Sequence, residues 1–260
     1  MNIFKQFIQS LISPKVIASF RFQKIGKAIL YVFFLMLVAC IPLATQTAID
    51  LNAHFNTAHT FAKELPPFYV ENGILTSELD DPYVSETEEG FTVIIDPTGE
   101  LTPADISEYD FTFALFERNA VISIGGESNV ISYQQMEVAF SSEQLLSMVE
   151  TVNNLSPLVI SFIILGIYLL GTAVTFIVTV LLSLITLLMK SSMASQLSYK
   201  QCWILSVYSV TLPTIMMAFF GMLNLLAYIP FSFLLYLIVA VIMITYVLKN
   251  IPQPKEPITE

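Results

Sequence analysis

Four long stretches of this chain lack ionisable side chains. No Asp, Glu, Lys, Arg or His occurs in 28–49, 158–189, 203–226 or 230–248. Proton relays and ion-coupled pumps work through such groups, so their absence argues against secondary active transport. Basic residues are nearly missing from 50–156, which holds only Lys63 and Arg118. That leaves no basic surface away from the membrane flanks, and excludes nucleic acid as a partner. There are two cysteines, Cys40 and Cys202. Both fall in or beside apolar runs, so neither belongs to a disulfide framework or a metal site. No P-loop, HExxH or GxSxG motif is present, so no enzymatic role and no cofactor is expected.

What is present is apolar. Hydrophobic residues make up 55% of the 260 positions and charged residues 12%; the mean hydropathy is +0.72. Runs of about 18 or more apolar residues read as membrane spans, because about 20 residues at 1.5 Å each cross a hydrocarbon core of about 30 Å. The expected fold class is an α-helical membrane protein with four transmembrane helices and an inserted α+β extracytoplasmic domain. Residues 1–27 are expected to form a cytoplasmic amphipathic interfacial segment, and 28–49 the first span. Residues 50–156 form the acidic domain, 157–189 the second span and 190–202 a cytoplasmic loop. Residues 203–226 and 230–248 are the third and fourth spans, and 249–260 a disordered cytoplasmic tail.

Charge sets the expected orientation. The 50–156 segment carries 19 of the 21 acidic residues and sums to −17, while the remainder sums to +7. The N-terminus, Lys190/Lys200 and Lys249/Lys255 are the basic flanks, and the positive-inside rule places them in the cytoplasm of a bacterial plasma membrane. Both termini are then inside, as an even number of spans requires.

The start of the chain has Ile3, Phe4, Phe7, Ile8, Leu11 and Ile12 at the spacing of one helix face. Ser13-Pro14 ends that helix and starts another. Lys15, Arg21, Lys24 and Lys27 surround the second piece, which predicts a basic amphipathic segment on anionic lipid. A partner-docking helix is the alternative. Leu37-Val38-Ala39-Cys40 resembles a lipoprotein cleavage site, but Ile41–Ala44 continues the apolar run, so an uncleaved span is expected.

In the acidic domain, Leu51–Lys63 continues the first span as helix. His54 and His59 lie five apart, so they do not share a helix face; they read as surface histidines, Asp50 and His54 being spaced to pair, with a metal or pH-sensing site as the alternative. Asn72-Gly73 predicts a type I′ hairpin between 68–71 and 74–76. Further strands are expected at Phe91–Ile95, Phe111–Phe116, Ala120–Ile124 and Asn129–Tyr133, with a short helix from Thr102 to about Glu108. Together the strands would make one small sheet. Asp80, Asp81, Glu86, Glu88 and Glu89 read as a solvated acidic loop, with cation or basic-partner binding as the sharper alternative. Ser141 and Gln144 form a capping box that opens a helix, and Ser156-Pro157 repeats the start signal at the membrane entrance.

Leu158–Met189 would be about 48 Å long as a helix, so it must tilt or protrude. Tyr168, Thr172, Thr175, Thr179 and Ser183 line one face of it, with Thr186 and Gly171 beside them. A packing seam is expected, a polar translocation path being the alternative. Pro213 frees the carbonyl of Ser209 and predicts a kink in the third span.

These segments resemble a known family. Ser10–Lys15 and Phe20–Lys27, Leu65-Pro66-Pro67-Phe68, Asn72–Thr76, Ile95–Gly99, and Leu197–Gln201 with Tyr208-Ser209 and Leu212-Pro213 carry the likeness. It is to a bacterial, mostly Gram-positive family of unknown function, with some members labelled maltodextrin-utilization proteins. The membrane part also resembles Yip-type bundles. The resemblance covers nearly the whole chain and implies no catalytic residue. The sugar label implies genomic association more than mechanism. The expected function is a non-enzymatic membrane protein whose outer domain binds a partner or ligand, such as a sugar-uptake complex, as an accessory to carbohydrate uptake. The alternatives are a passive transporter or channel component, and a ligand or cation sensor.

Overall fold

The computed structural model describes residues 1–86, 90–106, 111–125, 127–136, 139–193 and 196–252. The chain divides into two units, Met1–Leu51 with Leu158–Glu260, and Asn52–Pro157.

The first unit is a helix bundle. It contains α1 (Ile3–Ile12), α2 (Pro14–Ser19), most of α3 (Ile25–Glu64) and most of α5 (Ser142–Met193). It ends with α6 (Tyr199–Ser209), α7 (Thr211–Met222) and α8 (Ser232–Lys249). Among the described residues, four helices are long and apolar enough to cross a membrane: Ile25–Glu64, Ser142–Met189, Tyr199–Met222 and Ser232–Lys249. Ser13 caps α2 by accepting from the Val16 amide, as expected of Ser-Pro at a helix start. Pro157 does not start a helix; it lies inside the continuous 52-residue α5. The seam between α6 and α7 sits at Val210, whose backbone keeps right-handed angles of φ −76° and ψ −8°. This is the break that Pro213 dictates by having no N–H for the Ser209 carbonyl.

α1 meets the bundle with a mixed side: Gln6 and Ser10 are buried, and Ile3 and Phe7 pack against the core. Phe4, Ile8 and Ile12 are 61%, 55% and 71% exposed, an apolar strip of the kind an interfacial helix turns to lipid. Ile17, Ala18 and Phe20 join the core formed by Tyr31, Leu35, Leu205, Tyr208, Ile244 and Leu248. Ile251 also packs there, so the expected disordered tail does not begin at Lys249. Residues 253–260 lie outside the described residues.

The second unit is α+β. Its eight described strands form two sheets rather than the one expected, in the orders β2-β1-β8 and β3-β4-β5-β6-β7. β1 (Phe68–Glu71) and β2 (Ile74–Ser77) are joined by Asn72 at φ 54° and Gly73 at φ 80°, both in the left-handed region that a type I′ turn requires. β3 (Tyr83–Glu86) edges the larger sheet, followed by β4 (Phe91–Asp96), β5 (Phe111–Phe116), β6 (Asn119–Ile124) and β7 (Glu127–Ser132). β4 and β5 are parallel, with Phe91 opposite Phe111, and the other pairings are antiparallel. The crossover leaves β4 through Asp96. Its buried carboxylate accepts from the Thr98 amide at 2.9 Å, the Thr98 hydroxyl at 2.6 Å, the Gly99 amide at 3.0 Å and the Leu101 amide at 2.7 Å. The expected helix from Thr102 is a turn through Ile106, and the rest of that expectation lies outside the described residues. Helix α4 (Tyr133–Met136) and β8 (Phe140–Ser141) lead to α5. The capping box there is reciprocal: the Gln144 amide donates to Ser141 Oγ at 3.3 Å, and Ser141 N–H donates to Gln144 Oε1 at 3.1 Å.

One core joins both sheets through Phe68, Val70, Leu75, Ile95, Leu115, Ala120 and Tyr133. A second, on the opposite face of the larger sheet, holds Ile94, Ile106, Ala114, Phe116 and Val121.

Candidate functional site

Among the described residues, the four long apolar helices border a half-open cavity of about 510 Å³. That volume lies within the roughly 300–1,000 Å³ of small-molecule sites. α3 contributes Met36, Ala39, Cys40 and Gln46; α5 contributes Gly171, Thr175 and Val178; α7 contributes Thr214, Ala218 and Gly221; α8 contributes Phe233 and Tyr236. Small residues on three different helices make the space. At Gly171 an added Cβ would lie 2.8 Å from Met36 Cε.

The lining is apolar with a few placed polar groups. The hydroxyls of Thr214 and Tyr236 are 3.1 Å apart. Thr175 Oγ1 lies 2.8 Å from the Gly171 carbonyl and 3.1 Å from Met36 Sδ. Gln46, Asn224 and Ser232 line the end nearer the α7–α8 connection. Gln46 is held by a 2.8 Å bond from its amide to Asp50 Oδ1. Buried Met36, Ala39, Thr175, Val178 and Thr214 line the deeper part. No lining residue is charged.

The hydroxyl stripe of α5 is mostly engaged with its own helix. Thr172 donates to the Tyr168 carbonyl at 2.7 Å, Thr179 to Thr175, Ser183 to Val180 at 2.7 Å and Thr186 to Leu182 at 2.7 Å. Across helices, Tyr168 donates to the Phe33 carbonyl at 3.2 Å, Ser183 lies 3.3 Å from the Tyr199 hydroxyl, and Thr186 lies 3.2 Å from Ser206. Thr172, Thr175, Thr179 and Ser183 are all buried. This is the arrangement of a packing seam, in which back-bonded hydroxyls let helices approach. Of the stripe, Thr175 with its neighbour Gly171 borders the cavity.

The other sequence candidates are spread out. Asp80 and Asp81 precede β3, and Glu86 ends it; all three are exposed. The strand between them separates the carboxylates by about 3.3 Å per residue. Glu88 and Glu89 lie outside the described residues. Among the described residues, no group of three or more His, Cys, Asp or Glu could hold a metal ion. His59 Nε2 lies 3.7 Å from Glu150 Oε1. Lys15 and Lys24 are exposed. Arg21 donates to the Ala18 carbonyl at 2.6 Å and stacks 4.3 Å from the Phe22 ring. Lys27 reaches the Met1 carbonyl at 2.8 Å. Arg21 and Lys27 thus fasten the N-terminal helices as well as carrying charge.

Sequence reasoning did not find the cavity. Its lining is made by small and apolar residues that are unremarkable within each span. Thr175 and Gly171, both marked in the α5 stripe, are the parts that the sequence hinted at.

Residues 4–248 match the family described as "Protein of unknown function (DUF1189)". No curated protein and no solved structure matches the chain.

Proposed function

We propose a function for this chain, which belongs to the DUF1189 family of proteins of unknown function: it is a non-enzymatic integral membrane protein that holds a lipophilic ligand within its helix bundle. The observation that carries this reading is the uncharged cavity of about 510 Å³, lined by all four spans. An apolar pocket with a few convergent polar groups is the usual form of a small-molecule site. The spans would lie in a bacterial plasma membrane with both termini cytoplasmic, a reading supported by the basic flanks.

The test is binding of a solvatochromic apolar dye to the full-length protein in uncharged detergent. Ala218→Trp, which fills the cavity, should abolish the dye signal while the far-ultraviolet circular dichroism stays unchanged. Equal binding by that variant would defeat the reading.

A second reading concerns the α+β unit. Its excess of carboxylates supports contact with a basic partner protein or a cation, and the basic flanks of the spans support an extracytoplasmic position for it. A sugar-uptake complex as that partner, in a Gram-positive host, follows from the family resemblance. Co-purification of the full chain from native membranes tests it, as does calorimetry with maltodextrins and with Ca²⁺. A preparation that brings down no partner and gives no heat would count against it. Passive permeation along the α5 hydroxyls is the weaker alternative, because those hydroxyls are buried and bonded to their own helix.

A further inference from the structure

We infer that a second, smaller pocket in the bundle binds the phosphate group of a membrane phospholipid through Arg21 and Gln201; this rests on the membrane placement in the reading above and not on the ligand cavity. The pocket has a volume of about 120 Å³, and Arg21, Phe22, Gln196, Gln201 and Ile251 are among its lining residues. That is about four times a water's share of liquid volume, about 30 Å³, so a phosphate group fits and an acyl chain does not. Position is the first argument. Phe22 lies three residues before α3, Gln201 in the first turn of α6, and Ile251 two residues after α8. α3, α8, and α6 continued by α7 are long and apolar enough to cross a membrane. The pocket therefore sits where three such segments begin or end, which for spanning helices is the boundary between hydrocarbon and headgroups.

Charge is the second. One N–H of Arg21 goes to the Ala18 carbonyl at 2.6 Å, and the guanidinium stacks 4.3 Å from the Phe22 ring. Those two contacts hold the group in place and leave most of its five N–H donors unused. Among the described residues, the ion pairs are His59 with Glu150 and Arg118 with Glu117, so no carboxylate neutralises Arg21. A planar fork of this kind matches two oxygens of a phosphate.

The third is the orientation of Gln201. The Ser198 amide donates to Gln201 Oε1 at 2.9 Å, and Ser198 Oγ lies 3.2 Å from the same oxygen. A backbone N–H only donates, so the atom facing it is the carbonyl oxygen. The capping box thus occupies the acceptor of Gln201, and what the side chain has left for a ligand is the NH₂ group with its two donors. No carboxylate lines the pocket, and Leu197 and Ile251 give it buried apolar walls. A cationic fork and an amide donor without an anionic side chain select an anion. Because Arg21 precedes α3 and Gln201 belongs to α6, one phosphate held by both would tie the N-terminal segment to the third span.

The experiment measures the thermal midpoint of the full-length protein in uncharged micelles, read from Trp203, the one tryptophan of the chain. Dioleoylphosphatidylglycerol, dioleoylglycerol and inorganic phosphate are titrated separately. Phosphatidylglycerol should raise the midpoint saturably, and dioleoylglycerol, which lacks the phosphate, should not. Arg21→Lys keeps the charge but loses the fork, and should raise the half-saturating lipid concentration about tenfold, the factor for one charge-assisted hydrogen bond. Lys24→Arg, outside the pocket, should leave it unchanged. Gln201→Glu keeps the capping box, since a carboxylate accepts the same Ser198 N–H. Its lipid-free midpoint should hold or rise while the phosphatidylglycerol shift disappears. Equal half-saturation for Arg21→Lys and the parent would overturn the site in favour of diffuse surface charge. An equal shift with dioleoylglycerol would overturn phosphate as the recognised group, and an equal shift with inorganic phosphate would overturn the lipid as its source. Membranes washed with alkaline carbonate separate this from the reading it rests on. Release of the protein there would defeat the membrane placement, whereas retention with no phosphatidylglycerol shift would overturn the phosphate site alone.

Discussion

The hydroxyl of Tyr208 lies 2.9 Å from Oε1 of Gln6, a residue 202 positions earlier in the chain. The same hydroxyl is 3.0 Å from Oε1 of Gln23. A phenol has one proton, and amide oxygen and nitrogen exchange places by rotation of the side-chain end. Tyr208 therefore donates to one amide and accepts an N–H from the other. The contact is buried, and Tyr31 and Phe20 stack on the Tyr208 ring with centroids 4.4 and 4.6 Å away. It ties the N-terminal helices to the last turn of α6, next to the break at Val210.

Tyr208→Phe should loosen that attachment. It keeps the ring packing and takes the hydroxyl away from buried Gln6 and half-buried Gln23, at a cost of about 1–3 kcal/mol. Hydrogen exchange across Ile3–Ser19 should accelerate while α8 is unaffected. Unchanged exchange in α1 and α2 would show that the network does not hold them.

Gly171 separates packing from cavity volume. Gly171→Ala places a methyl against Met36 Cε, the end of a flexible chain. Helix propensity favours the change by about 1 kcal/mol. The thermal midpoint should hold or rise slightly, while dye binding weakens. Gly171→Leu should instead lower the midpoint, because α3 cannot yield by several heavy atoms at this approach.

The hairpin turn gives the opposite sign. Gly73 sits at φ +80°, and a Cβ there would lie 2.6 Å from Gln134 Cγ. Gly73→Ala combines backbone strain with a clash against α4 and should destabilise by more than about 1 kcal/mol. Asn72→Gly relieves its own positive φ and should be close to neutral. Thermal unfolding of the two variants checks the contrast.

How far these features could be read beforehand depends on how local their causes are. Asn72-Gly73, Ser141 with Gln144, and Ser13-Pro14 act over four residues, and the sequence shows them directly. Ser198 with Gln201 forms the same kind of box at the start of α6; its S-x-x-Q signal went unread inside a stretch taken as a cytoplasmic loop. The parallel pairing of β4 with β5 was not legible, since nothing in either strand specifies direction once both faces are covered. β3 was hidden because Asp80, Asp81 and Glu86 made the segment look like a solvated loop. The buried Gln6 and Ser10 of α1 were not legible, because amphipathicity says only that two faces of a helix differ and not which residues meet protein. The cavity depends on side chains from four helices meeting, and no single segment encodes that.

Asp96 makes the α+β unit sensitive to acid. Burial alone would raise its carboxyl, but the Thr98 hydroxyl and the amides of Leu101, Thr98 and Gly99 hold it below the usual carboxylate value. The folded form therefore binds this proton less readily than the unfolded one, whose value is about 3.9. The stability it contributes is complete above that value and is lost as pH falls through the lower folded value. Asp96→Asn replaces an acceptor of four hydrogen bonds with an amide that can satisfy only some of them. The variant should be clearly less stable than the parent at pH 7, and the gap should narrow below about pH 4. A gap that stays constant from pH 7 to pH 3 would mean that shape, not charge, holds the crossover.

Three buried hydroxyls should be dispensable. Among the described residues, Tyr133 Oη, Thr92 Oγ1 and Thr112 Oγ1 have no hydrogen-bond partner. Burial pushes the Tyr133 hydroxyl well above its ordinary value. It packs edge-on to Phe140 with centroids 6.1 Å apart, in the core shared by the two sheets. Thr92 and Thr112 face each other across the parallel pair. An unpaired buried hydroxyl costs about 1–3 kcal/mol relative to a hydrogen-bonded one. Removing it without changing the packed shape recovers part of that cost. Tyr133→Phe and the double change Thr92→Val with Thr112→Val should therefore raise the unfolding midpoint of the α+β unit. The Val pair keeps β-branching and volume, so strand geometry is preserved. A fall in midpoint for the Val pair would show that these hydroxyls have bonding partners in solution, and would make that row of the sheet a binding surface to pursue.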